Sequence, residues 1–111
     1  MAHKCVFAWV TYPEKSMASA IAERLAQKRL AAGVNIMGPI TSVYHWQGEI
    51  KKHNEWGLLA QLPAALFAEF QQEVLASHPY KTPCVVSIPI EEGHEGFLNW
   101  IIQSCQGAEC I

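Results

Sequence analysis

The chain has 111 residues, of which 50% are hydrophobic and 16% are charged, and its formal net charge is -2. This composition excludes a disordered chain, which would be less apolar and more highly charged. The length suits one hydrophobic core, so we predict a single domain over residues 1–111. No run of Lys and Arg exceeds two residues, which argues against a nucleic-acid partner, because such proteins concentrate positive charge.

The sequence offers no membrane segment. No apolar run approaches the roughly 20 residues that a spanning helix needs, and the chain opens without the pattern of a secretory signal. Four cysteines without a Cys-x-x-Cys pair do not form a disulfide framework. We expect Cys5 and Cys84 to be buried in apolar strands, and Cys105 and Cys110, near a glycine-containing tail, are candidate reactive thiols. The predicted location is therefore the cytoplasm, with no membrane partner.

The first half of the chain predicts a strand, a helix and an interrupted strand. Residues 5–11 are continuously apolar and rich in β-branched and aromatic side chains, which is typical of a strand covered on both faces. Residues 14–32 show a helical period, with Gly33 as the predicted helix stop. Residues 34–46 form the next predicted strand, interrupted at Gly38-Pro39, because proline donates no hydrogen bond to a ladder.

The second half begins with a hairpin turn. Gln47-Gly48 is a two-residue turn signal, and residues 52–61 form the predicted return strand. A second helix runs up to His78-Pro79, since the residue before proline is driven out of the helical region. Residues 84–90 predict another strand, and residues 97–105 a terminal helix. The order β-α-β-β-α-β with an extra C-terminal helix is an α+β, ferredoxin-like arrangement with a long central hairpin.

Catalytic chemistry is not visible in this pattern. No nucleophile can be assigned together with its base, so we expect no enzymatic activity. Five histidines are scattered without His-x-x-x-His spacing. A two-residue loop at Gln47-Gly48 pairs Trp46 with Glu49, and counting back from that pair places His45 and His53 on opposite faces of the sheet. These two histidines therefore cannot share a metal ion within one chain.

Several blocks of the sequence resemble the CutA family in order and spacing. The blocks are Ala31-Ala-Gly-Val-Asn-Ile36, Pro39, Ser42-Val-Tyr-His-Trp-Gln-Gly48, Glu55, His78-Pro-Tyr-Lys-Thr-Pro83, Pro89, Gly93 and Phe97-Leu-Asn-Trp100. They span nearly the whole chain, and Ser-x-Tyr-x-Trp-x-Gly together with His-Pro-Tyr-x-x-Pro is a specific combination. On these motifs the chain is identified as a member of the CutA family.

The resemblance implies a homotrimer of ferredoxin-like protomers, related in architecture to PII-type signalling trimers, with the long hairpins pairing across subunits. It also implies a role in tolerance to copper and other divalent cations, with Cu2+ or another divalent cation as the ion concerned. The residues themselves favour self-assembly. A hairpin that carries Val43, Tyr44, Trp46, Ile50 and Trp56 is too apolar to remain a free edge.

Two departures from the family pattern bear on metal binding. Where members with copper ligands carry a cysteine and a second histidine, this chain has Val10 and Ser77, so His78 alone remains as a candidate metal ligand. One imidazole does not hold a metal ion tightly against water. We therefore expect weak or indirect metal binding.

The polar and aromatic residues that the family shares map onto Tyr44, Trp46, Glu55, His78 and Tyr80. One hypothesis is that they line a cleft near a subunit interface, where polar groups converge on a ligand. The other is that they lock the trimer together. The leading interpretation is a cytoplasmic, homotrimeric, non-enzymatic protein of divalent-metal tolerance, and the alternative is a PII-like module that binds a small anion or a protein partner at its subunit clefts.

Overall fold

The computed structural model describes residues 4–107, so the prediction for Cys110 lies outside the described residues. The elements are β1 (Cys5–Tyr12), α1 (Lys15–Gln27), β2 (Gly33–Trp46), β3 (Glu49–Pro63), a 3-10 turn (Ala64–Leu66), α2 (Phe67–Ser77), β4 (Val85–Pro89) and α3 (Glu95–Ser104). This order confirms the predicted α+β, ferredoxin-like arrangement. Among residues 4–107, no helix combines the length and hydrophobicity that crossing a bilayer requires.

The four strands form one antiparallel sheet in the order β2-β3-β1-β4. On one face, Ala8 and Val10 of β1 pair with Ala60 and Leu58 of β3, and all four are fully buried. The helices contribute the other side of this core: Ala18, Ile21, Ala22 and Leu25 from α1 and Phe70 and Val74 from α2. Complete burial of each large apolar side chain contributes roughly 1.5–3 kcal/mol, so this face holds the domain together.

The end of α1 differs from the prediction. The helix ends at Gln27, and the left-handed residue that follows it is Arg29, with φ 58°, whereas Gly33 begins β2. A left-handed conformation costs a residue other than glycine roughly 1–2 kcal/mol. The Arg29 guanidinium donates to the main-chain carbonyl oxygens of residues 103–105 at the end of α3. The predicted glycine stop is therefore wrong. The main-chain N–H groups of residues 28–30 donate back to carbonyl oxygens of the last helical turn, and Arg29 takes the left-handed position that this ending requires.

The turn of the β2–β3 hairpin confirms the predicted register. Gln47 and Gly48 both have positive φ, 51° and 79°, as the favoured two-residue hairpin turn requires. Trp46 pairs with Glu49, and His45 and His53 lie on opposite faces of the ribbon. His45 and His53 therefore cannot bind the same ion within one chain.

A bulge divides the hairpin into two parts. The register shifts between Met37 and Ile40, at the predicted Gly38-Pro39 interruption. The last pair between β1 and β3 joins Tyr12 to Trp56, so beyond this point the hairpin is a two-stranded ribbon without a third strand. Such a ribbon is marginally stable by itself in water.

The second face of the sheet is only partly covered. α3 packs over one end of it, where Cys5, Ile101 and Cys105 are buried. The prediction that β1 is covered on both faces is wrong for this face, where Phe7 and Trp9 are only partly buried. The apolar side chains that stay exposed here and on α3 are Met37, Val86, Ile88, Phe97 and Trp100.

The cysteines of the described residues differ in their exposure. Cys5 is buried as predicted, but Cys84 is exposed, so the prediction for Cys84 is wrong. Cys105 was a candidate reactive thiol; it is fully buried, and burial raises its pKa to about 11. Because the thiolate is the reactive form, Cys105 is not a reactive thiol in the folded protein.

Trp9 and Gly57 provide a test of packing on the second face. A methyl group added at Gly57 would overlap the Trp9 indole. We expect Gly57→Ala to lower the free energy of unfolding by about 1–3 kcal/mol, the usual range for overpacking, in urea denaturation. In a Trp9→Leu background, Gly57→Ala should lower the free energy of unfolding by less than half as much. An equal decrease in both backgrounds would show that the overlap with Trp9 is not the cause.

Candidate ligand cleft

Glu55 lies where the sheet continues into the free ribbon. It pairs with Ile40 immediately after the bulge in β2, and only 7% of its surface is exposed. Because side chains alternate along a strand, the register places Tyr44 and Trp46 on the same face of the ribbon as Glu55. Two aromatic rings and one carboxylate therefore project from one side of the hairpin.

His78 holds the loop that follows α2. Its Nε2–H donates to the carbonyl oxygen of Thr11 at 2.8 Å, and its Nδ1 accepts the main-chain N–H of Tyr80 at 3.1 Å. One nitrogen donates and the other accepts, so the ring is the neutral Nε2–H tautomer. The ring stacks on Tyr12 with a centroid separation of 4.3 Å. Burial lowers the pKa of His78, which favours this neutral form.

Tyr80 links the same loop to the hairpin. Its hydroxyl donates to Glu55 Oε2 at 2.6 Å, a distance typical of a hydrogen bond to a carboxylate. Burial, followed by the hydrogen bond and the negative charge of Glu55, raises the pKa of Tyr80. The hydroxyl therefore remains protonated at neutral pH. Within the described part of the chain, Glu55 Oε1 has no hydrogen-bond donor and no cation at salt-bridge distance.

These groups border one cleft with a volume of about 710 Å³, formed by the hairpin, the end of β1 and the loop between α2 and β4. Four of the candidate residues, Tyr44, Trp46, Glu55 and Tyr80, meet there. His78 lies behind them, against Tyr12. Seven further residues line the cleft that the sequence did not assign to it: Thr11, Ser42, His45, Pro79, Lys81, Thr82 and Cys84.

The sequence held a signal for one of these additional residues, Ser42, which alternation places on the same predicted face of the hairpin as Tyr44 and Trp46. The sheet register explains a second one, Cys84. Cys84 immediately precedes β4, whose first residue, Val85, pairs with Val10. Val10 belongs to the covered face, so alternation directs Cys84 to the opposite face. Lys81 and Thr82 gave no such signal, because their place in the cleft depends on how the loop folds against a hairpin that is distant in sequence.

Neither the Cys84 thiol nor the Tyr80 hydroxyl of the cleft is poised as a nucleophile. Partial burial and then the charge of Glu55 raise the pKa of the Cys84 thiol, which disfavours the reactive thiolate. The Tyr80 hydroxyl is committed to Glu55. Among the groups that the cleft offers a ligand are one carboxylate oxygen and the exposed rings of Tyr44 and Trp46.

The residues present do not fit a tightly held metal ion. Among residues 4–107, no three His, Cys, Asp or Glu side chains come together as a ligand set. His78 uses both ring nitrogens in hydrogen bonds to the main chain, so the Nδ1 lone pair of the neutral ring is not free for an ion in this arrangement. Val10 is fully buried, and the Ser77 hydroxyl accepts a hydrogen bond from Arg24.

Comparison with known proteins identifies the family. The family model described as CutA1 divalent ion tolerance protein matches residues 6–104, which is most of the chain. The chain belongs to the CutA1 family. This match confirms the resemblance that the hairpin and His-Pro-Tyr motifs indicated.

Relatives in the CutA1 family resemble the chain over nearly its whole length. The divalent-cation tolerance protein CutA of Archaeoglobus fulgidus is 42% identical over 100 residues, which cover 90% of this chain and 97% of the relative. A solved structure described as the periplasmic divalent cation tolerance protein CutA from Archaeoglobus fulgidus has a TM-score of 0.87, at 42% identity and with the same two coverages. The structure of CutA1 from Oryza sativa has a TM-score of 0.90 at 31% identity and covers 94% of this chain and 95% of that one.

The hydrogen bonds of His78 predict a pH dependence of stability. The pKa of His78 lies below its ordinary value of 6.5, so near pH 6 the unfolded chain binds more protons than the folded one. The stability that neutral His78 contributes is therefore present above about pH 6.5 and is lost as the pH falls through the lower, folded-state pKa. We expect the free energy of unfolding, measured with urea, to decrease between about pH 7 and about pH 5.

Two variants separate this contribution from other titrations. His78→Asn supplies an oxygen that can accept the Tyr80 N–H but does not titrate, so its stability should change less over the same pH range. His53→Asn, at an exposed position on the hairpin, should behave like the unaltered protein. A pH dependence that persists unchanged in His78→Asn would show that another group is responsible.

Proposed function

We propose that this chain acts in tolerance to divalent cations, copper among them, as a cytoplasmic homotrimer that catalyses no reaction. The observation that carries the proposal is membership of the CutA1 family, supported by a relative named for divalent-cation tolerance that aligns over 97% of its own length. The described residues favour an indirect contribution to metal tolerance over tight chelation of the ion.

The ligand chemistry supports weak or indirect metal binding. Tight sites for transition metals use three or four converging nitrogen, sulfur or oxygen ligands, and the part of the chain that the structure describes contains no such set. His78, the one candidate from the family pattern, would have to break a hydrogen bond to the main chain in order to bind an ion. That requirement lowers its affinity for any metal.

Exposed apolar surface supports self-assembly. Val43 and Ile50 on the hairpin are 62% and 67% exposed, and Val86 and Ile88 of β4 are nearly half exposed. β2 and β4 are the two edges of the sheet, so both can pair with another strand. Copies of the same chain are the occupants that we propose for these surfaces, because the hairpin needs a partner and the opposite sheet edge offers one.

The cysteines and the cleft support the remaining parts of the proposal. Cys5, Cys84 and Cys105 are all free thiols, which suits a reducing compartment such as the cytoplasm. The raised pKa of the Cys84 thiol leaves the cleft without an activated nucleophile at that position. A role in binding and assembly is consistent with these properties.

Metal titration tests the indirect role. In calorimetric titrations with Cu2+ and Zn2+, we expect binding too weak to saturate, and His78→Ala should change the apparent affinity by less than about tenfold. His53→Ala serves as the matched control for loss of one imidazole. A stoichiometric, tight site in the unaltered protein that disappears only in His78→Ala would contradict the proposal and assign direct metal sensing to His78.

Light scattering after size exclusion tests the assembly. We expect three times the mass of one chain at micromolar concentration. Ile88→Lys places a charge on the exposed sheet face and should produce monomers, whereas Leu75→Lys, at an equally exposed apolar position on α2 (48% against 47%), should leave the trimer intact. A monomeric unaltered protein would overturn the trimer proposal.

A second candidate function is a PII-like regulatory module. The observation that favours it is the cleft, whose volume lies within the range of roughly 300–1,000 Å³ found for small-molecule sites. In this function a small molecule bound beside Glu55 would control what the assembled protein contacts. The metal response would then be one of the processes that ligand binding to this protein controls.

A further inference from the structure

The charge of Glu55 is the feature of the cleft that most constrains a ligand. Glu55 is a buried residue, with 7% of its surface exposed, and one of its carboxylate oxygens accepts a hydrogen bond from Tyr80. The other oxygen has neither a donor nor a cation among the described residues, although the residue faces the cleft. In a partly desolvated cleft, a carboxylate oxygen without a counter-charge favours a cationic partner, so a ligand that brings a positive charge would be stabilised there.

Aromatic rings line the same cleft. Tyr44 and Trp46 are 40% and 37% exposed, so ring surface on both is available to a ligand. A ring face attracts a cation through its quadrupole and attracts apolar groups through contact. A carboxylate beside exposed aromatic rings is therefore suited to an organic cation with an apolar body.

The other titratable groups in the cleft do not reverse this conclusion. Lys81 also lines the cleft, but its side chain is exposed, so water and salt screen its charge. An anion drawn to Lys81 would approach the buried carboxylate of Glu55, which repels it. His45 is exposed, and the raised pKa values of Cys84 and Tyr80 keep both groups neutral at pH 7.

We propose that the cleft binds a protonated organic amine, with its ammonium group at Glu55 Oε1 and its apolar body against Tyr44 and Trp46. The ammonium N–H groups would donate to the carboxylate oxygen that Tyr80 leaves free. This inference rests on the second candidate function, a ligand-binding module, and names the ligand class as cationic, where the family resemblance alone suggested a small anion. It does not depend on whether the protein binds metal.

Three probes of similar size and shape test the charge preference. Phenethylamine is a cation at neutral pH, phenethyl alcohol is its neutral counterpart, and hydrocinnamate carries a carboxylate on the same framework. Each is titrated into the assembled protein, and binding is followed by the NMR shift of the Trp46 indole N–H. We expect phenethylamine to bind about tenfold or more tightly than either of the other probes.

Two variants locate the charge. Glu55→Gln removes the negative charge but keeps an oxygen that can accept the Tyr80 hydroxyl, and it should weaken phenethylamine binding by about tenfold or more. Glu92→Gln makes the same charge change at an exposed position in the loop between β4 and α3, outside the cleft lining, and should leave binding unchanged. Trp46→Leu removes one aromatic ring and leaves the carboxylate unaltered. It should also weaken phenethylamine binding, which is then followed through the NMR resonances of Tyr44.

The outcomes separate this proposal from the function on which it rests. Tighter binding of hydrocinnamate would overturn the amine and retain a ligand-binding cleft. Equal binding of all three probes, or an unchanged affinity in Glu55→Gln with a native spectrum, would overturn the role of Glu55. Failure of every probe to shift any cleft resonance would overturn both the amine and the small-molecule module.

Discussion

A neutral histidine connects three parts of this protein. The His78 ring donates to the carbonyl of Thr11 at the end of β1 and accepts the N–H of Tyr80 in the loop after α2. Tyr80 in turn donates to Glu55 in the hairpin. Because each hydrogen bond needs a particular atom in a particular protonation state, this chain of contacts sets the shape of the cleft, and it also occupies the lone pair that a metal ion would need.

The hairpin takes part in both proposed roles. One face of the ribbon presents Tyr44, Trp46 and Glu55 to the cleft, while Val43 and Ile50 project from the other face. Because side chains alternate along a strand, one two-stranded ribbon can present a ligand-binding face and an assembly face. The same ribbon extends past the last pairing with β1, so the proposed assembly would support the cleft by holding one of its walls.

The features that could be predicted from the sequence are those governed by neighbours along the chain. The two-residue turn at Gln47-Gly48, the interruption at Gly38-Pro39 and the end of α2 before Pro79 follow from backbone preferences of glycine and proline. The hairpin register then follows by counting, and it separates His45 from His53. The family motifs identified four residues that the structure brings into one cleft.

The sequence by itself thus determined the order of the elements, the hairpin register and the family, because each of these depends on local conformation or on a motif. The tertiary structure showed that Arg29 rather than Gly33 takes the left-handed position after α1, where its guanidinium also donates to carbonyl oxygens at the end of α3. It also decided which protonation state His78 adopts and which oxygen of Glu55 remains free. Those outcomes depend on burial and on donors that are distant in sequence, and no periodicity encodes them.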